Sequence, residues 1–418
     1  MSAPPEDEIL HYAATPVAAT NHRFTTQLRR FWQGDSGLIP IIIGLLVLVG
    51  YFQLRSPVFL SAGNVTNLFV QATVFILLGM AEIWLLLLGE IDLSVGFVAA
   101  LSAAIAVVLL DNQFHWPWFV AMPLAILAST AISTFQGILV IRLRLPSFIV
   151  TLAGFLGWEG VLIFLVDRQG TGGTIPVHEK VLYNLVNGNL TPFATAIFVT
   201  ILVVLSALSM IRTDRSRRAS GLETRSPVIT VVKIVTLSVA GILLVLVFNT
   251  NRGTFIALRG MPFAIPIIFA VLAVGSFILA KTKVGRYIYA IGGNAEATRR
   301  AGVNVNRYRL LAFTLSGVTT GIAGLLYASR LGGISDGVDG GTLVLYAVAS
   351  AVIGGTSLFG GRGKLIHAVI GGTMIATIYN GMALIGMSAA TQFIATAFVL
   401  LGAVTIDSLA RRGSTTSR

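Results

Sequence analysis

Residues 281–309 read KTKVGRYIYAIGGNAEATRRAGVNVNRYR, and this polar interval between two apolar runs decides how the chain folds. It holds seven bases (Lys281, Lys283, Arg286, Arg299, Arg300, Arg307, Arg309) against one acid, Glu296. Inside it the spacing predicts a helix of about two turns. Asn294 supplies an N-cap, and Glu296 falls in the first turn, where a carboxylate suits the helix dipole. Arg299 and Arg300 lie in the last turn, and Gly302 supplies the left-handed stop. So short a helix is unstable alone in water and is expected to fold against something. The residues leave two readings open: a solvated basic loop that orients membrane spans, or a docking helix for a cytosolic partner.

The rest of the chain supplies the context. Its 418 residues are 55% hydrophobic and only 11% charged, with a mean hydropathy of +0.85. Soluble domains carry about 25% charge, so the composition points to an all-α polytopic membrane protein. Twelve apolar runs mark candidate spans, at 38–54, 68–88, 95–110, 116–141, 148–166, 193–211, 228–248, 263–280, 310–328, 343–357, 365–386 and 391–409. Several are shorter than the roughly 20 residues a crossing helix needs, so those at 95–110 and 343–357 are expected to be tilted, broken or re-entrant. The absence of cysteine excludes disulfides, cysteine-ligated zinc and iron–sulfur chemistry, and the five histidines lack metal-ligand spacing. The opening MSAPPEDE is polar and partly acidic, so no cleavable signal peptide is expected.

The net charge of +12 is explained by topology rather than by nucleic acid. With a cytosolic N-terminus and twelve crossings, 22 of the 29 lysines and arginines fall on the cytosolic side and six outside. Lys233 lies within a span. That asymmetry is the positive-inside pattern, and it puts 281–309 in the cytosol. Residues 1–37 and 411–418 then form cytosolic tails around a membrane domain at 38–410. Segment 167–262 reads as an insertion in a ten-span body: a long outer loop and an extra helix pair. The Arg-rich RTDRSRRASGLETRS between the pair is a topology anchor, with contact to anionic membrane lipid as a second role.

Two glycine-bounded joints echo one another. GEIDLSVG (89–96) joins the second and third spans, and GGTSLFGG (354–361) joins the tenth and eleventh on the same side. Transporters are often built from repeats with discontinuous helices near the pathway. In the first joint, Glu90 and Asp92 have two open readings, capping the next helix or gating a pathway. GGTSLFGGRGK fails the phosphate-loop spacing, because Leu358 and Leu365 stand where glycine and a hydroxyl residue are required. The chain is therefore not expected to bind ATP. Polar groups inside spans include Glu82, Gln136, Glu159 and Asn380, and Trp84, Phe155, Trp158 and Tyr346 offer stacking faces. Each is read either as a helix–helix contact or as part of a polar pathway, with Glu90, Asp92, Glu159 and Asn380 the pathway candidates.

Three segments in order, GEIDLSVG (89–96), AIGGNAEATRRAGVNVNRYR (290–309) and VIGGTSLFGGRGK (352–364), resemble the membrane permeases of bacterial carbohydrate ATP-binding-cassette importers, the ribose/xylose branch. The span pattern extends the likeness over most of 38–410. Glu90, the extra pair in 167–262 and the IDSLARR ending look more like the xylose permeases, whereas ribose-type members often carry glycine at the position of Glu90. The resemblance implies a multi-pass protein of the bacterial plasma membrane and a homodimer. It also implies two cytosolic ATPase subunits that hold ATP and Mg, an extracytoplasmic sugar-binding protein, and no cofactor on this chain. It matches Asn294–Gly302 to the family's coupling helix, which docks in a groove on the ATPase, with Glu296, Ala297 and Gly302 in its pattern; the residues agree, since the bases, Arg299 and Arg300 among them, can meet an acidic groove rim.

Overall fold

The computed structural model describes residues 38–398 apart from 111–113, 171, 222–226 and 255, together with 401–402 and 405. The two tails expected at 1–37 and 411–418 lie outside the described residues. The chain forms α1 (Leu38–Arg55), α2 (Ala62–Leu86), α3 (Val95–Leu110), α4 (Trp118–Leu143) and α5 (Ser147–Gln169). A short strand β1 (Thr174–Pro176) and α6 (Lys180–Asn187) precede the pair α7 (Pro192–Ala219) and α8 (Pro227–Asn249). Then come α9 (Ala264–Lys281), α10 (Lys283–Gly293), α11 (Ala295–Arg300), α12 (Val305–Leu331) and β2 (Gly333–Ser335). Helices α13 (Gly340–Ile353), α14 (Ile366–Leu384) and α15 (Ala389–Phe398) close the described chain. Among the described residues every apolar run of the sequence contributes a helix. Among the described residues seven helices (α2, α4, α5, α7, α8, α9 and α12) are long and apolar enough to cross a membrane. Four apolar helices are shorter, including α3 and α13. The protein is a multi-pass membrane protein.

Burial sorts these helices into layers. Helices α2, α3 and α13 are mostly apolar and largely covered by protein, as helices without a continuous polar face must be in a bundle. Helix α12 wraps this core, and small residues let it approach closely. A Cβ at Gly321 would stand 2.8 Å from Ile126 Cα of α4, and one at Gly324 would stand 2.2 Å from Ala99 O of α3. Ser129 donates across the α4–α12 contact to Gly317 O at 2.9 Å. The outer helices instead expose broad apolar faces, such as Leu156 and Phe164 on α5, Ile201 and Leu205 on α7, and Leu243 and Leu246 on α8. Lipid is the natural solvent for such a belt.

The inserted segment 167–262 divides in two. Its first part is tied into the body: Thr174–Pro176 pairs antiparallel with Gly333–Ser335, and Val186 N and Asn187 Nδ2 donate to Ser329 at the end of α12. The α7–α8 hairpin lies at the periphery, and backbone bonds close its neck. Leu190 N donates to Met261 O at 2.8 Å and Phe263 N to Gly188 O at 3.1 Å. Half of the basic stretch read as a loop is helical, because Arg, Ser and Ala continue α7 to Ala219, and Gly221 turns the chain with φ +66°.

Candidate functional site

The polar interval holds three helical pieces rather than one. Helix α9 stops at Lys281, Thr282 is extended, and α10 begins at Lys283. Helix α10 is amphipathic: Gly285, Ile288 and Ile291 recur at three-residue spacing and are buried, while its polar face stays outside. Tyr289 reaches down from it and donates to Gly363 O at 2.7 Å. Burial pushes that phenol above its ordinary value, so the hydroxyl stays a donor. Next, α11 has the ends its sequence dictates. The Asn294 side chain accepts from Ala297 N at 2.8 Å, Glu296 sits in the first turn, Arg299 and Arg300 in the last, and Gly302 has φ +82°. Glu296 pairs with Arg299 at 2.9 Å and with Arg300 at 3.1 Å. Ala297 is exposed and Thr298 is buried as the helix's inward anchor.

Beneath α11 the three glycine-bearing segments meet. Gly361 N donates to Leu87 O at 2.9 Å, and a Cβ at Gly292 would stand 1.8 Å from the same carbonyl and 2.5 Å from Gly361 N. A Cβ at Gly360 would stand 2.9 Å from Gly292 O and 3.1 Å from Gly89 N. Backbone therefore packs on backbone, which a side chain would prevent. On the other flank Tyr287 and Tyr308 join α10 to α12 with ring centroids 4.8 Å apart. Arg309, at the start of the second turn of α12, closes an ion pair on the buried Glu90, its Nε 2.6 Å from Oε1.

From Glu90 the chain does not re-enter a helix at once. Residues 91–94 are unwound, so their N–H groups need outside acceptors. Helix α5 supplies them: Ile91 N donates to Ser147 Oγ at 3.3 Å and Leu93 N to Thr151 Oγ1 at 3.0 Å. Asp92 N lies 3.5 Å from Glu82 Oε2. Asp92 Oδ1 accepts from Ser94 N at 2.8 Å and from Ser94 Oγ at 2.6 Å, an Asx turn just ahead of α3. Ser94 Oγ then meets the Gln136 amide of α4 at 3.0 and 3.1 Å. Glu82 Oε1, Glu90 Oε2 and Asp92 Oδ2 are buried without a hydrogen-bond partner.

The structure thus gathers Glu90 and Asp92 beside the glycine junction under α11. The two other pathway candidates lie apart. Glu159 is half-buried midway along α5. Asn380 is buried on α14 and exchanges amide bonds of 2.8 and 3.0 Å with Asn64 of α2. Sequence reasoning did not place Arg309 on Glu90, Glu82 on Asp92, or Gly292 on Leu87. Among the described residues no group of three or more His, Asp or Glu is set to hold a metal ion.

Known permeases resemble this chain over most of its length. The family described as "Branched-chain amino acid transport system / permease component" matches residues 64–406. The chain belongs to this permease family. It is 34% identical over 357 residues to the xylose transport system permease protein of Escherichia coli K12, covering 85% of this chain and 87% of that one. It is 30% identical over 368 residues to the D-allose transport system permease protein of the same strain, covering 87% and 90%. With the ribose import permease protein of Haemophilus influenzae the identity is 28% over 370 residues, covering 87% and 91%. These relatives are named as transport permeases, not as enzymes. No solved structure matches the permease.

Proposed function

We propose that this permease is the translocation subunit of an ATP-binding-cassette importer that carries a monosaccharide, D-xylose foremost, across the bacterial plasma membrane. Two copies of the chain form the membrane unit. Cytosolic ATPase subunits hold ATP and Mg, and an extracytoplasmic binding protein delivers the sugar. The chain performs no hydrolysis itself.

One observation carries this reading: α11 is exposed, capped at both ends, and fastened on both flanks to the ends of core helices. A push on α11 passes through Gly292 to Leu87 and Gly361, and through Arg309 to Glu90. Packed glycine backbone and a half-buried ion pair transmit displacement rather than absorb it. In this role Asn294 and Gly302 set the helix ends, Ala297 permits close approach, and Glu296, Arg299 and Arg300 meet the ATPase surface. The arginine pairs with Glu296 are exposed, worth about 0.2–0.5 kcal/mol each, so a partner can recruit these side chains cheaply. Higher identity to the xylose permeases favours D-xylose, and the allose and ribose relatives keep other monosaccharides as the second reading.

The test is co-purification in detergent with the neighbouring gene products. A bound ATPase whose turnover rises with sugar-loaded binding protein is the expected result, and the stimulating sugar names the substrate. If no ATPase is captured, even after crosslinking, the proposal fails.

A further inference from the structure

Short helices α3 and α13 begin against one another inside the bundle. A Cβ at Gly96, the second residue of α3, would stand 2.2 Å from the carbonyl of Gly340, the first residue of α13. Asp92 precedes α3 by an Asx turn, and Asp339 caps α13 by accepting from Thr342 N at 2.9 Å. Around these two starts runs a row of polar groups supplied by three elements. Ser94 contacts Gln136, and the Gln136 amide occupies the space a side chain at position 154 would need, 2.2 Å from a Cβ there. Trp158 Nε1 is 3.3 Å from that same point. Aromatic rings flank the row: Phe97 and Phe155 meet edge to face with centroids 4.7 Å apart, and Phe155 lies 3.6 Å from a Cβ at Gly341.

The row is unfinished chemically. Asp92 Oδ2, on a side chain only 1% exposed, has no hydrogen-bond partner, and neither does the buried Trp158 Nε1. An acceptor and a donor left open in the interior are costly, and a ligand offering both functions would recover that cost. The row runs inward from the first turns of α5, where Ser147 and Thr151 hold residues 91 and 93, to the level of Gly154, seven residues or about 10 Å along that helix. Resting on the importer reading, we propose that Asp92, Ser94, Gln136 and Trp158 form a site for the transported sugar in the cytosolic half of the membrane domain. A neutral polyol suits it. The carboxylate accepts hydroxyl protons, the indole N–H donates to a hydroxyl oxygen, and Phe97, Phe155 and Trp158 cover the C–H face. The row contains no lysine or arginine, so it does not suit an anion.

The chain has no cysteine, so Ser94→Cys introduces a single, nearly isosteric thiol. The complex with its ATPase and binding protein is reconstituted in liposomes and treated with a small methanethiosulfonate reagent during ATP turnover. Modification of Cys at 94 is expected, and saturating D-xylose should slow it at least threefold while sucrose does not. In parallel, Gln136→Leu and Trp158→Phe should lower D-xylose uptake about tenfold while sugar-stimulated ATPase activity persists, a split that a merely structural role would not give. Normal uptake by both variants, or labelling of Cys at 94 indifferent to sugar, overturns the site and leaves the importer reading standing. A wild-type complex that binds no ATPase removes the importer reading and the site with it.

Discussion

Asn380 and Asn64 exchange two amide hydrogen bonds between α14 and α2, and Asn64 donates besides to Phe59 O at 2.8 Å. The buried Asp92 and the half-buried Trp158, in the same bundle, each leave a buried polar atom without a partner. Both places put hydrogen-bonding side chains among apolar helices, but only the first completes its inventory. A group kept for helix association has every reason to be satisfied by its neighbour. A group kept for a visitor must hold something in reserve. An open atom alone does not mark a site, since Glu82 and Glu90 keep one each; the row differs in setting an open acceptor and an open donor among aromatic rings.

The largest effect should come from the most desolvated charge pair. Arg309→Gln leaves the buried Glu90 carboxylate without its cation, a loss of about 2–4 kcal/mol given the modest exposure of Arg309. It should show as a marked fall in the melting temperature of the detergent-purified protein, and Glu90→Gln added to it should restore most of the loss. If the double variant is no better than the single, the pair is not the contact that matters. Next, Asn380→Ala should cost about 1–2 kcal/mol by orphaning Asn64, with sugar selectivity of uptake unchanged. A shift in selectivity would move Asn380 from the class of ties to that of sites.

Asp92→Asn sharpens the comparison from the other side. The amide oxygen can still accept from Ser94, and a buried charge disappears, so thermal stability should hold within about 1 kcal/mol or rise. A collapse of the fold would make Asp92 structural. Smallest in stability is Arg299→Glu with Arg300→Glu: at exposed positions the stability should change by less than about 1 kcal/mol, and the melting temperature should barely move. Uptake driven by the ATPase should nonetheless be lost. Retained uptake in that variant would remove both arginines from docking.

Much of this architecture could be read locally. Apolar runs gave the helices because hydropathy acts within one segment, and α11 was legible to the residue because Asn294, Glu296, Arg299 and Gly302 each act on their own turn. Helix α10 was missed because its buried stripe is only Gly285, Ile288 and Ile291, embedded among lysines and tyrosines that read as loop. What no local rule supplies is partnership over distance. Glu90 and Arg309 are 219 positions apart, Asn64 and Asn380 are 316 apart, and glycines in three segments meet only once the bundle forms. The candidate residues were visible as types; which of them are finished pairs and which are open was a property of the fold.

The neck of the α7–α8 hairpin has a consequence for how such a chain could change its length. Leu190 and Met261 touch through their backbones, so a cut at one and a rejoining at the other would need almost no new linker. One deletion event would remove about seventy residues, and no core helix would change register. A leaner permease would thus keep its core helices in register and give up side-chain contacts with the body such as that of Phe248 on Phe69 of α2.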